Sequence, residues 1–166
     1  FKPVLTKVKS VNPEVIFFGG MHTEGGLIIK QAKELGIKAP VIGGDGLYGS
    51  TLLEVAGPAA EGSYMAFFTP TAETAIGRNF VKNYTAKYGE IETYAPYAYD
   101  AANILLKAIA ESRTIDGKML IETIRKMKYE GAVGTIEYDE NGDIKKAGYA
   151  IYTVKDKKFI PYDKVK

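Results

Sequence analysis

Met21, His22, Thr23 and Asp45 are the side chains of this chain best placed to touch a ligand. They lie just beyond two short apolar runs that end in paired glycines: Val15-Ile16-Phe17-Phe18 before Gly19-Gly20, and Val41-Ile42 before Gly43-Gly44. Loops that leave the carboxyl ends of strands form the ligand crevice of open α/β sheets, so the four side chains are expected near one another as part of a pocket wall. The chemistry on offer is binding. The chain contains no Ser-His-acid spacing, no Gly-x-Ser-x-Gly elbow, no His-Glu-x-x-His and no Walker loop. Gly19-Gly20 and Gly25-Gly26 do not make a Gly-x-Gly-x-x-Gly turn, and no Lys-Ser/Thr follows them. Asp139, Glu140, Asn141 and Asp143 resemble a calcium loop in composition, yet they lack its twelve-residue spacing and terminal Glu, and read as a hairpin turn. No catalytic residue, metal ligand or cofactor is expected.

The elements that must position these loops follow from periodicity. Val15–Phe18 is a continuous apolar run, the pattern of a strand covered on both faces. Leu27, Ile28, Ile29, Ala32 and Leu35 have helical spacing, and Gly36 stands where a helix ends in the left-handed conformation. Val41-Ile42 starts the next strand, which completes a βαβ unit. A short helical turn over Leu52–Gly57 and a third strand over Gly62–Phe68 follow, and Thr69-Pro70-Thr71 breaks the pattern. Beyond it the spacing predicts three amphipathic helices. They run over Ala75–Tyr88, closed by Gly89; over Ala95–Ser112, with Ala98, Ala101, Ala102, Leu105, Leu106 and Ile109 as the buried stripe; and over Gly117–Met127, capped by Asp116. Strands return at Gly134–Tyr138, Tyr149–Val154 and Lys158–Pro161, with turns at Glu140–Asp143 and Lys155–Lys157. At the other end, Phe1–Leu5 opens within a helix with Val4, Leu5 and Val8 inward. The chain reads as a piece of something longer.

Composition narrows the class. The 166 residues are 46% hydrophobic with a net charge of +2, and contain no cysteine. That is ample for a core, leaves no disulfides or Cys-ligated metals, and gives no reason to expect a nucleic-acid partner. No apolar stretch approaches the roughly 18 to 20 residues of a membrane-spanning helix. Lysines between Lys145 and Lys166 suit a solvated sheet edge. The three helices of 70–128 have no strands of their own to cover, so their apolar stripes call for an absent partner surface or a second copy of the chain.

Phe17–Gly26, Gln31–Gly36, Gly43-Gly44-Asp45-Gly46, Ala60-Glu61-Gly62, Tyr97–Ala102 and Tyr138–Asp143, taken in order, resemble the carboxyl-terminal half of type I periplasmic solute-binding proteins. The subgroup is the leucine/isoleucine/valine-binding proteins of ABC importers. The resemblance implies an α/β fold, an incomplete three-layer parallel-sheet lobe with a helical segment that belongs to the partner lobe. Residues 1–69 and 147–166 then fall in the second lobe, and 70–146 cross the hinge to complete the first. It implies an extracytoplasmic protein, periplasmic or extracellular and compatible with a lipid anchor, that closes on an amino acid and presents it to an ABC permease. A ligand-sensing ectodomain of the same fold and a flavodoxin-like enzyme are the alternatives.

The resemblance also assigns roles. Asp45 falls where the family has an acid that accepts the ligand's α-ammonium, a charge that must be paired once out of water; the alternative is a turn residue before Gly46. Met21 replaces a ligand-reaching Tyr, either to line an apolar pocket or as packing. His22, the sole histidine, is a ligand contact or a loop residue bonded to backbone. Tyr94 lies in the segment that delivers an aromatic to the pocket, although a gapless alignment puts Ala95 at that site; Tyr97 lies a turn further in. Tyr48 is expected at the rim. The family's carboxylate-binding groups lie outside this chain, so impaired binding is expected of it in isolation, and self-association is expected because the helices of 70–128 need cover.

Overall fold

The computed structural model describes residues 1–68 and 74–162. The expected break at Thr69-Pro70-Thr71 lies outside them, as do Lys164 and Lys166. The chain divides into two compact units, Phe1–Phe68 with Tyr149–Lys166, and Thr69–Gly148.

The first unit is built on five strands in the order β1-β2-β3-β6-β7: β1 (Ile16–Phe18), β2 (Val41–Gly43), β3 (Tyr64–Phe68), β6 (Tyr149–Lys155) and β7 (Lys158–Pro161). The first three are parallel, whereas β6 pairs antiparallel with β3 and β7 antiparallel with β6, so the sheet is mixed rather than parallel throughout. Helix α1 (Lys2–Ser10) and helix α2 (His22–Glu34) cover one face, and the short helix α3 (Ser50–Ala56) packs on α2. Leu5, Ile28, Ala32 and Ile37 close there over Ile16 and Phe18. Val8 turns inward with Leu5, but Val4 faces solvent, a correction to the expected stripe of α1. Gly36, at φ 73°, ends α2. The N–H of Ile37 then bonds the Ala32 carbonyl and that of Gly36 the Lys33 carbonyl, and Ile37 packs back on Ala32, which seals the helix end.

The opposite face of this sheet corrects an expectation. Registry puts Phe17 beside Ile42, Ile42 beside Tyr64, and Ala66 beside Ile151. Phe17 is 71% exposed, and Ile42, Tyr64, Ala66, Ile151 and Tyr162 line an open apolar groove. The run Val15–Phe18 is therefore covered on one face, because the described residues of this unit lay their helices on the other. The lysine-rich end behaves as expected: β7 is an edge strand, and Lys155, Lys157 and Lys158 around its turn are exposed. Asp156 and Lys157, both at positive φ, form that turn, and their N–H groups donate to the Glu61 carboxylate at 3.2 and 3.0 Å.

In the second unit, α4 (Ala75–Tyr88), α5 (Ala95–Ser112) and α6 (Gly117–Lys126) accompany a hairpin of β4 (Lys128–Gly131) and β5 (Gly134–Glu137). Asp116 caps α6 by accepting the Met119 N–H at 3.0 Å. The buried stripe of α5 is Pro96, Asp100, Ile104 and Ala108, while Ala98, Ala101, Ala102, Leu105 and Leu106 are exposed and Ile109 is half-buried. The sequence stripe was displaced by one residue because it passed over Asp100. That carboxylate is buried since it accepts the N–H groups of Ala132 and Val133 at 2.9 and 2.8 Å, which draws this side of α5 onto the hairpin. Ile104, Ala108, Met127 and Ile136 form the core beside it.

Candidate functional site

The glycines that read as loop are partly helix. Helix α2 starts at His22 rather than near Gly26, because Gly25 and Gly26 sit inside it against close neighbours. A Cβ on Gly25 would strike the Leu47 side chain, and one on Gly26 would lie 2.9 Å from Val55 Cβ. Met21 is thereby the residue that precedes the helix, and His22 opens its first turn. The His22 Nδ1 and Thr23 Oγ1 lie 3.3 Å apart.

After β2 the chain enters a 3-10 turn, Asp45–Leu47, in which the Tyr48 N–H bonds the Asp45 carbonyl at 2.9 Å. Leu47 is completely buried, so the turn is anchored from beneath while Asp45 itself stays exposed. The two loops meet where glycine allows it. A Cβ on Gly46 would lie 2.5 Å from the Gly20 carbonyl oxygen and 3.2 Å from Met21 Sδ, and one on Gly49 would lie 3.1 Å from the His22 ring. The loops that carry Met21, His22 and Asp45 thus share the carboxyl-terminal end of β1 and β2.

Other residues singled out by the sequence fare differently. Tyr48 is not at a rim. Its ring stacks on Phe67 and Phe159 at 4.3 and 4.4 Å and meets Tyr152 edge-on at 4.9 Å, and burial pushes its hydroxyl pKa up. Tyr94 precedes the first turn of α5 in the second unit and is 37% exposed; Tyr97, a turn on, is half-buried. The Asp139 carboxylate accepts the N–H groups of Asn141 and Asp143, each at 2.9 Å, which makes the hairpin turn expected there. Those backbone bonds, that to Asp143 foremost, hold it below the usual carboxylate range. Among the described residues, no group of three His, Cys, Asp or Glu side chains is placed to hold a metal ion, and no helix is long and apolar enough to cross a membrane.

Sequence reasoning missed Gly20, Gly46 and Gly49 as points of contact between loops. The signal was present in the Gly43-Gly44-Asp45-Gly46 run, but which glycine makes way for a neighbour is set by the fold.

Residues 1–158 match a family model described as periplasmic binding protein. Among curated proteins, the chain is 33% identical over 153 residues to Leu/Ile/Val-binding protein homolog 1 of Brucella suis, with 92% of this chain and 41% of that protein covered. It is 27% identical to a leucine-, isoleucine-, valine-, threonine-, and alanine-binding protein of Pseudomonas aeruginosa over the same shares of the two chains. Among solved structures, a leucine-binding protein, LivK, of Thermotoga maritima superimposes with a TM-score of 0.84 at 32% identity, covering 98% of this chain and 47% of that one. The branched-chain amino acid transporter substrate-binding protein LivJ of Streptococcus pneumoniae, in complex with isoleucine, gives a TM-score of 0.77 at 28% identity, with 96% and 46% covered. The chain therefore spans less than half the length of these relatives.

Proposed function

The chain belongs to the periplasmic binding protein family, and from that premise we propose that it is the carboxyl-terminal portion of an extracytoplasmic solute-binding protein for an amino acid, branched-chain or similar. The parent protein captures the amino acid outside the cytoplasm and presents it to an ABC permease at the membrane, a binding role rather than an enzymatic one. The relatives support this reading: one is a leucine-, isoleucine-, valine-, threonine-, and alanine-binding protein, and another is a branched-chain amino acid transporter substrate-binding protein in complex with isoleucine. The observation within this chain that carries it is the close approach of Gly46 to Gly20, which sets the Asp45 and Met21 loops side by side at one end of the sheet. In this reading Asp45 pairs with the ligand's α-ammonium, Met21 and His22 line the wall beside it, and Tyr94 is a further candidate contact on the resemblance alone.

Residues 1–69 and 147–166 are assigned to the second lobe and 70–146 to completing the first. The compact units, divided after Phe68 and before Tyr149, support those boundaries. The same reading makes the isolated chain a poor binder, since partners for the ligand carboxylate lie outside it, and prone to self-association. Exposed Phe17, Tyr149, Leu105, Leu106 and Ile121 support the latter.

Native mass spectrometry of the full-length parent protein, followed by calorimetric titration with leucine, isoleucine, valine and alanine, tests the function. An amino acid that co-purifies and binds at micromolar concentration or tighter is expected. A bound flavin or nucleotide, with no heat from any amino acid, would contradict it.

A further inference from the structure

We propose that Gly46 is a positioning residue for Asp45: its bare Cα lets the Gly20 carbonyl rest against it, and this backbone contact aims the neighbouring carboxylate. The inference rests on the amine-binding reading of Asp45 and goes further, to how the group is held.

Three observations carry it. A Cβ on Gly46 would lie 2.5 Å from the Gly20 carbonyl oxygen, a backbone atom that no rotamer change can clear, and 3.2 Å from Met21 Sδ, a flexible one that can move. Neither side of the contact yields freely. On one side, Gly20 is followed by the first turn of α2, where the Gly25 N–H bonds the Met21 carbonyl at 2.9 Å. On the other, the Asp45–Leu47 turn is pinned by Leu47, which is fully buried and fills the space above Gly43. A displacement at Gly46 therefore falls on the adjacent, exposed Asp45 end of the turn. Lastly, Gly44 supplies an internal contrast. It precedes Asp45 at φ −82°, and a Cβ there would meet nothing within 4 Å. Neither Gly44 nor Gly46 has positive φ, so alanine at either position differs in the space it needs and not in backbone strain.

The test is a double-mutant cycle on the full-length parent protein, with leucine as the probe in calorimetric titration and competition. Gly44→Ala should bind leucine within about twofold of wild type. Gly46→Ala should bind about tenfold more weakly, yet cost less than about twofold when introduced into Asp45→Asn, because a contact that acts by aiming the carboxylate loses its effect once the charge is gone. Equal losses in both backgrounds, or wild-type affinity for Gly46→Ala, would overturn the proposal. Melting of the ligand-free variants completes the test: a Gly46→Ala protein that fails to fold marks a purely structural glycine and also overturns it. Absence of leucine binding by wild type would bring down the amine-binding reading itself, whereas loss in Asp45→Asn without coupling to Gly46 would leave that reading standing and remove only the positioning role.

Discussion

The Asp100 carboxylate accepts the Val133 N–H at 2.8 Å across 33 residues of chain, with its other oxygen on the Ala132 N–H at 2.9 Å. Gly131 makes room for it, since a Cβ there would strike the carboxylate. A charged acceptor with both oxygens spent on backbone donors is a strong clasp, and it joins α5 to the β4–β5 hairpin at a place where neither could otherwise bury its polar groups. Asp100→Asn turns an amide N–H₂ toward one of the two donors. It should destabilise the protein by about 2 kcal/mol in urea denaturation, the usual worth of a hydrogen bond to a charged group. A change within 0.5 kcal/mol or so would contradict the clasp.

Acid should loosen the turn at Asp139. Its folded pKa is depressed by the Asp143 and Asn141 backbone bonds. A carboxylate with a depressed folded pKa contributes stability above its ordinary range, near 3.8, and loses that contribution as pH falls through the lower folded value. Amide exchange at Asn141 and Asp143 should therefore accelerate relative to neighbouring amides below about pH 4, and the step should vanish in Asp139→Asn. Protection that is independent of pH in the wild type would show that the carboxylate does not hold the turn.

The isolated 166-residue chain should sediment as more than a monomer, because Phe17, Leu106 and their neighbours leave apolar faces in water. Phe17→Glu combined with Leu106→Glu should shift the distribution toward monomer. A compact, stable wild-type monomer would contradict this.

Capping offers a smaller test of local order. Asp116→Ala removes the acceptor for the Met119 N–H at the start of α6 and should cost about 1 kcal/mol by thermal or urea denaturation. No measurable loss would show that α6 does not depend on the cap.

These residues also show where sequence was informative. Element positions such as Ala75–Tyr88 and Lys158–Pro161 were legible because each is bounded by a strong signal, a glycine or a turn, and Ala95–Ser112 because its helical periodicity is long. The buried face of α5 was not, since hydrophobicity ranks Leu105 and Leu106 above Asp100, and only the distant Ala132 and Val133 donors make burial of a carboxylate favourable. Strand β4 escaped notice for a related reason: Lys128 and Glu130 alternate with Tyr129 on an exposed hairpin, and its partner sets it as a strand. At the candidate site, the types and spacing of Met21, His22 and Asp45 were readable from the ends of apolar runs. The close approach of Gly46 to Gly20 was not, because it depends on how β1 and β2 place two loops that lie far apart in sequence.

Titration calorimetry of the parent protein and its Asp45→Asn variant with leucine shows whether Asp45 pairs with the amine of an amino acid. An amine taken out of water without its charge partner costs about 3 kcal/mol of binding, so the variant is expected to bind leucine roughly 100-fold more weakly at unchanged thermal stability. Equal affinity in the two proteins would mean that Asp45 does not pair with the amine.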